Sequence, residues 1–279
     1  MSQPKQSESS GQGANSRAAA ATALFHVLEK GESLSAALPH ATGKLSDADK
    51  RLASAINDGV LRVLPSLNKL VGAKLDKPLK GKLKVLHYLL LVGAYQLYCL
   101  RIKDHAAVSA TVEAARILGK RNHKGLVNGI LRQLLREAPI ADESQQRDLP
   151  VDAMQNHPRW LFDAIQADHP QQASNILLEN NAHPPMWLRV NRRFFNRDDY
   201  LRQLEDSGIA AEGDTLADDA IRLHSPVPVE RLPGFDRGHA SVQDRSAQLA
   251  ADYLNVKASH RTLDCCAAPG GKLLHLLER

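Results

Sequence analysis

The sequence predicts an all-α domain, then a smaller α+β portion, then, at the end of its 279 residues, the first strand, turn and helix of a parallel α/β sheet. Three observations lead there. Apolar residues recur at helical spacing from Arg17 to Glu137 with no strand-like alternation. After Pro184-Pro185 the period changes, and Met186 to Asn191, M-W-L-R-V-N, alternates. Finally Thr262 to Lys272 reads T-L-D-C-C-A-A-P-G-G-K, an apolar stretch running through a small-residue turn into the helix-like Lys272 to Arg279. Glycines in such a turn admit a ligand close to the backbone, and the N–H groups of the helix start suit an anionic or polar group, so a nucleotide-like cofactor is expected.

The length allows about two domains. Hydrophobic residues make up 43% and aromatics 4%, so the cores are expected to be Ala, Leu and Val. The net charge of +5 conceals an asymmetry. Residues 17 to 137 hold 20 Lys and Arg against 9 Asp and Glu, whereas residues 138 to 279 hold 15 against 21. The basic half is the natural candidate for a polyanion. Cys99, Cys265 and Cys266 form no C-x-x-C pair and no metal-ligand spacing, which points to a reduced cytoplasmic protein with no metal. The run Val85 to Leu100, interrupted by His87, Gly93 and Gln96, is too short and polar to span a bilayer and reads as a buried helix.

In chain order, residues 1–16 are Ser/Gln/Gly-rich and predict a disordered tail. Residues 17–140 form the helical domain. Its first helix carries Ala20, Leu24, Val27 and Leu28 and stops at Gly31. Ser46 caps a second helix, with Leu52, Ile56, Val60, Leu61 and Leu64 on one face and a break at Pro65. A lysine-rich link, Lys74 to Lys84, precedes the buried helix, and helices over 106–118 and 122–137 follow. Residues 141–182 read as linker and connector, with helix over 161–180 broken near His169-Pro170. Residues 183–238 read as a small α+β subdomain with strands over 186–191 and 220–224 and a helix over 198–207. Residues 239–279 begin with a helix from Ser241, Asp244 serving as cap or first-turn acid, and end on the turn described above.

Three stretches carry a resemblance. Cys266, Ala267, Ala268, Pro269, Gly270, Gly271 and Lys272 match the first S-adenosyl-L-methionine motif of the RNA cytosine-5 methyltransferases. Ala107 to Lys120 and Lys124 to Glu137 resemble the end of a NusB-like RNA-binding domain. H-P-x-W-L at His157 and V-Q-D-x-S-A-Q at Val242 resemble elements that precede the cofactor motif in the same enzymes. The chain thus resembles the bacterial 16S rRNA (cytosine-5)-methyltransferase family of the RsmB/Sun/Fmu type, in which a NusB-like domain is fused to the methyltransferase. The resemblance implies a Rossmann-like class I catalytic domain, S-adenosyl-L-methionine as cofactor, held by the seven residues of the loop, and 16S rRNA as partner. It also implies a monomer acting away from membranes, and an RNA-recognition-like role for the α+β subdomain.

The RNA candidates are Lys120, Arg121, Lys124 and Arg132 in the helical domain and Arg189, Arg192 and Arg193 in the α+β part, where Asn191, Phe194 and Phe195 are adjacent. Exposed cations would contact phosphates and aromatics would stack bases, although aromatics at strand spacing equally serve a core. Gly125, Val127, Asn128 and Gly129 read as packing residues rather than RNA contacts. In the family a cysteine thiolate adds to cytosine C6 and makes C5 nucleophilic, with a second cysteine assisting release. Both lie in P-C and T-C-S contexts that this sequence does not contain. No catalytic residue is therefore named: Cys99 reads as inert core, and Cys265 and Cys266 belong to the strand end and cofactor loop. The expectation is a chain cut within its catalytic domain that binds RNA with little or no methyl transfer. The alternative is a non-enzymatic NusB-like RNA-binding or antitermination-type module.

Overall fold

The computed structural model describes residues 9–137, 156–182 and 184–279. The first eight residues and residues 138–155, which include the start of the linker and connector predicted over 141–182, lie outside them. The chain divides into two compact units, residues 1–182 and 183–279.

The first unit is built from α1 (Ser9–Lys30), α2 (Leu34–Thr42), α3 (Asp47–Arg62), α4 (Leu64–Gly72), α5 (Lys84–Cys99), α6 (Asp104–Ile117), α7 (Lys124–Glu137), α8 (Arg159–Asp168) and α9 (Ala173–Asn181). Helix α5 is the central one and packs against α1, α3, α4, α6 and α7. Its Leu86, Leu89, Leu90, Leu91, Val92 and Ala94 are completely buried, as the apolar run predicted. Gly93 makes the crossing with α7 possible, since a Cβ there would lie 2.7 Å from Leu131 Cδ2. Ser46 caps α3 by accepting from the Asp49 amide at 3.2 Å. Pro65 sits in the first turn of α4, where its missing N–H leaves no helical bond unmade, so the predicted break is a helix-to-helix junction.

The tail prediction is corrected over residues 9–16, which are the first turns of α1. Composition suggested disorder, but tertiary partners order the segment: Ala14 and Ser16 are fully buried, and the Ser16 hydroxyl donates to Asp49 at 2.5 Å. The next residue, Arg17, is buried and donates through Nε to Gln96 Oε1 at 2.8 Å and through Nη1 to the Gly13 carbonyl at 2.9 Å. At the other end of the unit Asn156 Oδ1 accepts from the hydroxyl of Ser66 at 2.8 Å, which fastens the segment entering α8 to α4.

The second unit is a four-stranded antiparallel sheet of order β2-β3-β1-β4. Its elements are β1 (Trp187–Val190), α10 (Arg197–Asp206), β2 (Ala211–Gly213), β3 (Ala220–Leu223), β4 (Ala240–Val242), α11 (Arg245–Leu254) and α12 (Gly271–Glu278). In β1 the two-residue period sends Leu188 and Val190 into a core with Tyr200, Leu204, Ile221 and Leu223, while Trp187 and Arg189 take the opposite face. Two expectations change here. Ser241 and Val242 do not open a helix; they pair with Arg189 and Leu188 in β4, and α11 starts at Arg245 with Asp244 as its cap. Residues 262–264 form no strand, and with them the Rossmann-like portion is not formed among the described residues. An isolated parallel strand has no neighbour to satisfy its backbone, and here it is an exposed loop leading into α12, with Leu263 82% exposed.

Candidate functional site

In the first unit the predicted cations gather around the turn between α6 and α7. Gly119, in the left-handed region at φ +69°, ends α6 and turns the chain into a short 3-10 helix, Arg121–His123, ahead of α7. Arg121 is exposed and Lys120 half-buried. Lys124 donates to Glu113 Oε2 at 2.7 Å, and Arg116 donates to Oε1 of the same carboxylate. These two charge-assisted hydrogen bonds hold the Glu113 carboxyl well below the ordinary glutamate range, at about 2. Arg132 is exposed and donates to Asn128 Oδ1 at 3.2 Å. Glu113, Lys124, Asn128 and Arg132 line a groove of about 620 Å³ with Val108 and Leu135 at its floor. Of the four residues read as packing, Val127 is buried, whereas Gly125 and Gly129 are exposed and a Cβ on either would meet nothing within 4 Å.

In the second unit the predicted basic cluster separates into three roles. Arg189, 1% exposed, is an internal residue and is withdrawn as an RNA contact. Its Nε and Nη2 donate to the two carboxylate oxygens of Glu278 at 3.0 and 2.9 Å, and Nη1 donates at 2.6 Å to both Gln243 Oε1 and the Gly271 carbonyl. The planar fork thus grips both ends of α12, the helix that follows the G-G-K turn. Arg192 donates to Asp219, which also pairs with His275 of α12 at 2.9 Å. Burial alone would raise the Asp219 pKa; the hydrogen bonds from His275 and Arg192 and the charges of Arg192 and Arg279 outweigh it and hold the group below the aspartate range. Arg193 is exposed, and no ion pair of its guanidinium occurs among the described residues.

The loop itself presents Cys266, Ala267, Ala268, Pro269 and Lys272 to solvent, with Gly270 and Gly271 half-buried. Asp264 folds it locally by accepting from the Cys266 amide at 2.9 Å. Gly270 stands at φ +109°, a conformation that side-chain-bearing residues rarely adopt, and from it α12 begins. The first helical bond is Leu274 N to the Gly270 carbonyl at 2.8 Å, so the amides of Gly271, Lys272 and Leu273 have no acceptor within the helix. A backbone free of Cβ at the turn, followed by these amides, fits the polar end of a nucleotide-like methyl donor. Sequence reasoning missed Glu278, Asp219 and His275 as the partners that hold this loop. The only available signal was Arg189 itself, a lone cation between Leu188 and Val190.

Cys99 is partly covered, and burial pushes its thiol up to about 11, away from nucleophilic service at neutral pH. Among the described residues no group of His, Cys, Asp and Glu could hold a metal ion, and no helix is long and apolar enough to cross a membrane.

The NusB family matches residues 14–136, and the Methyltr_RsmF/B-like, ferredoxin-like domain matches residues 157–230. The second match begins within the first unit and takes in α8 and α9. The chain is 46% identical over 264 residues to the ribosomal RNA small subunit methyltransferase B of Photorhabdus laumondii, covering 95% of this chain and 61% of that one. To the protein of the same name from Vibrio vulnificus it is 46% identical over 265 residues, covering 95% and 62%. The crystal structure of PH0851 shares the fold at a TM-score of 0.67 and 17% identity, over 100% of this chain and 61% of that one. The chain therefore spans about three-fifths of the length of these relatives.

Proposed function

Since the chain belongs, over the three-fifths of their length that it spans, to the family of ribosomal RNA small subunit methyltransferase B, we propose that it carries the RNA-holding parts and the first cofactor loop of a methyltransferase acting at cytosine C5 of 16S rRNA. Phosphate contacts come from Lys120, Arg121, Lys124 and Arg132 in the helical unit and from Arg192 and Arg193 in the sheet unit. Lys124 and Arg192 would exchange a carboxylate for a phosphate on binding, because each is already paired. Cys266, Ala267, Ala268, Pro269, Gly270, Gly271 and Lys272 hold S-adenosyl-L-methionine, which supplies the methyl group when bound. No residue of the chain is assigned to the covalent step.

The observation that carries this reading is the grip of Arg189 on both ends of α12. It builds the loop that resembles a methyl-donor motif into the same unit as the small sheet domain. The test is a pair of measurements on this chain: retention of a tritiated methyl donor by equilibrium dialysis, and binding of unmethylated small-subunit rRNA across a salt series. Donor binding lost in Gly270→Val, and RNA affinity falling steeply between 50 and 200 mM salt as about six or more phosphate contacts would require, support it. Donor binding that ignores Gly270→Val, or RNA affinity flat with salt, overturns it.

A second reading, a non-enzymatic RNA-binding module, is favoured by the concentration of positive charge in residues 17 to 137. Under it RNA affinity persists with no donor binding at all.

A further inference from the structure

A row of rings runs outward from the core of the sheet unit. Tyr200 is fully buried, with its hydroxyl donating to the Pro233 carbonyl at 3.0 Å. Phe195 follows, its centroid 6.3 Å from Tyr200, then His239 at 4.8 Å from Phe195, then Phe194 at 5.1 Å from His239 and inclined to it by 39°. Exposure rises along the row until Phe194, the outermost ring, is 54% exposed.

The row is braced from behind by two turns. The Asn191 amide donates to the His239 carbonyl at 3.0 Å, and Asn191 Nδ2 donates to the Gly238 carbonyl at 3.0 Å, so the 191–195 and 234–239 segments are fastened side by side. Gly234, at φ +62°, leaves the space that His239 fills: a Cβ there would lie 2.0 Å from its ring nitrogen Nδ1. An aromatic ring backed by a neighbouring ring and more than half exposed can serve as a stacking platform. The two fastened segments also carry cations. Most arginines of this unit are held by carboxylates, among them Arg189, Arg192, Arg197, Arg202, Arg222, Arg245 and Arg279. Arg193, Arg231, Arg237 and Arg261 are exposed and without an ion pair among the described residues, and of these Arg193 and Arg237 lie one in each fastened turn.

We propose that Phe194, backed by His239, stacks one unpaired nucleobase of an RNA strand while Arg193 and Arg237 take the flanking phosphates. The proposal rests on the RNA-binding reading above and adds to it the kind of RNA and the point of contact. An aromatic face accepts any base, but only one that has left the helical stack, so single-stranded RNA is selected over duplex. An apolar peptide would gain nothing from unpaired guanidinium groups in the turns that carry the rings, whereas a phosphodiester chain can pair with them.

The test uses the full chain, a 12-nucleotide single-stranded RNA of mixed sequence carrying 4-thiouridine, and the same RNA annealed to its complement. The parent chain is expected to prefer the single strand. Phe194→Ala is expected to weaken single-strand binding about tenfold, with duplex binding unchanged and Phe194→Trp restoring it. Arg193→Gln with Arg237→Gln is expected to flatten the log-affinity against log-salt slope by about 1.4, two single-strand phosphates at about 0.7 each. Irradiation is expected to cross-link thiouridine to the 191–195 segment. If the parent binds RNA but Phe194→Ala stays within about twofold on the single strand, or cross-links form only elsewhere, this proposal falls and the RNA-binding reading stands. If the parent binds neither RNA, both fall.

Discussion

Replacing Glu278 by leucine tests how α12 is held. The change removes a carboxylate whose side chain is 12% exposed and leaves Arg189, 1% exposed and fixed in the middle of β1, without the partner of its Nε and Nη2. Unpairing one member of a buried pair costs about 3–5 kcal/mol. The lower end applies here, because Gln243 Oε1 and the Gly271 carbonyl still accept from Nη1. Arg189→Met is expected to cost less, about 2 kcal/mol, since Glu278 in the last turn of α12 can swing into water where Arg189 cannot. The double variant replaces an ion pair by apolar groups of similar size and is expected to cost about 2 kcal/mol or less, giving a coupling of about 3 kcal/mol. Urea unfolding followed by Trp187 fluorescence reads this out, in a Trp160→Phe background so that β1 alone reports. With a slope of about 1.5 kcal/mol/M, Glu278→Leu should lower the midpoint by about 2 M. A loss under about 1 kcal/mol, or single costs that simply add, would refute the assignment of Arg189 as the clamp on α12.

Three further outcomes follow from the geometry. The Glu113 carboxyl is held at about 2, below its ordinary 4.5, by hydrogen bonds from Lys124 and Arg116, so the stability it contributes is present above pH 4.5 and is lost as pH falls towards 2. Glu113→Gln should therefore be less stable than the parent at pH 6 in chemical denaturation and indistinguishable from it at pH 2. Gly93→Val places a Cβ 2.7 Å from Leu131 Cδ2 and 3.1 Å from Thr111 Cγ2, and overpacking of about 1–3 kcal/mol should lower the thermal midpoint by circular dichroism. Finally, iodoacetamide at pH 7.5 should label Cys265 and Cys266, which are exposed, well before Cys99, and early modification of Cys99 would contradict its buried thiol.

The helical unit was largely legible because its signals are local and repeated. Helix α5 announced itself by the apolar stretch Val85 to Leu100, interrupted only by His87, Gly93 and Gln96, and Ser46 by its place before an acidic first turn. The sheet unit was half legible. Strands β1 and β3 are four residues long and show their period, but β2 and β4, A-E-G and A-S-V, are too short to show any, and β4 was absorbed into the helix that follows it. The loop at Cys266 to Lys272 resembles a methyl-donor motif, and a resemblance carries no conformation. The strand expected at Thr262 to Asp264 rested on a short apolar stretch, too few residues to decide a conformation, and none forms there. Arg189 shows the limit most clearly: beside Arg192 and Arg193 it reads as surface charge, and only the register of β1, with Glu278 eighty-nine residues away, turns it inward.

On the proposed reading, that register has a consequence for where RNA and methyl donor would lie. Strand β1 carries Arg189, which holds α12 and the turn before it, and four residues on the chain reaches Arg193 and then Phe194, at the open end of the ring row. β1 and the turn that follows it would therefore set the spacing between the two ligands. A one-residue slip of β1 against β3 and β4 would turn Arg189 towards Tyr200 and Leu204 and carry the turn bearing Phe194 off His239 in the same movement. The pairing Leu188 to Ile221 and Leu188 to Val242 thus sets a distance as well as a fold, and a slip in it would displace the two proposed sites together.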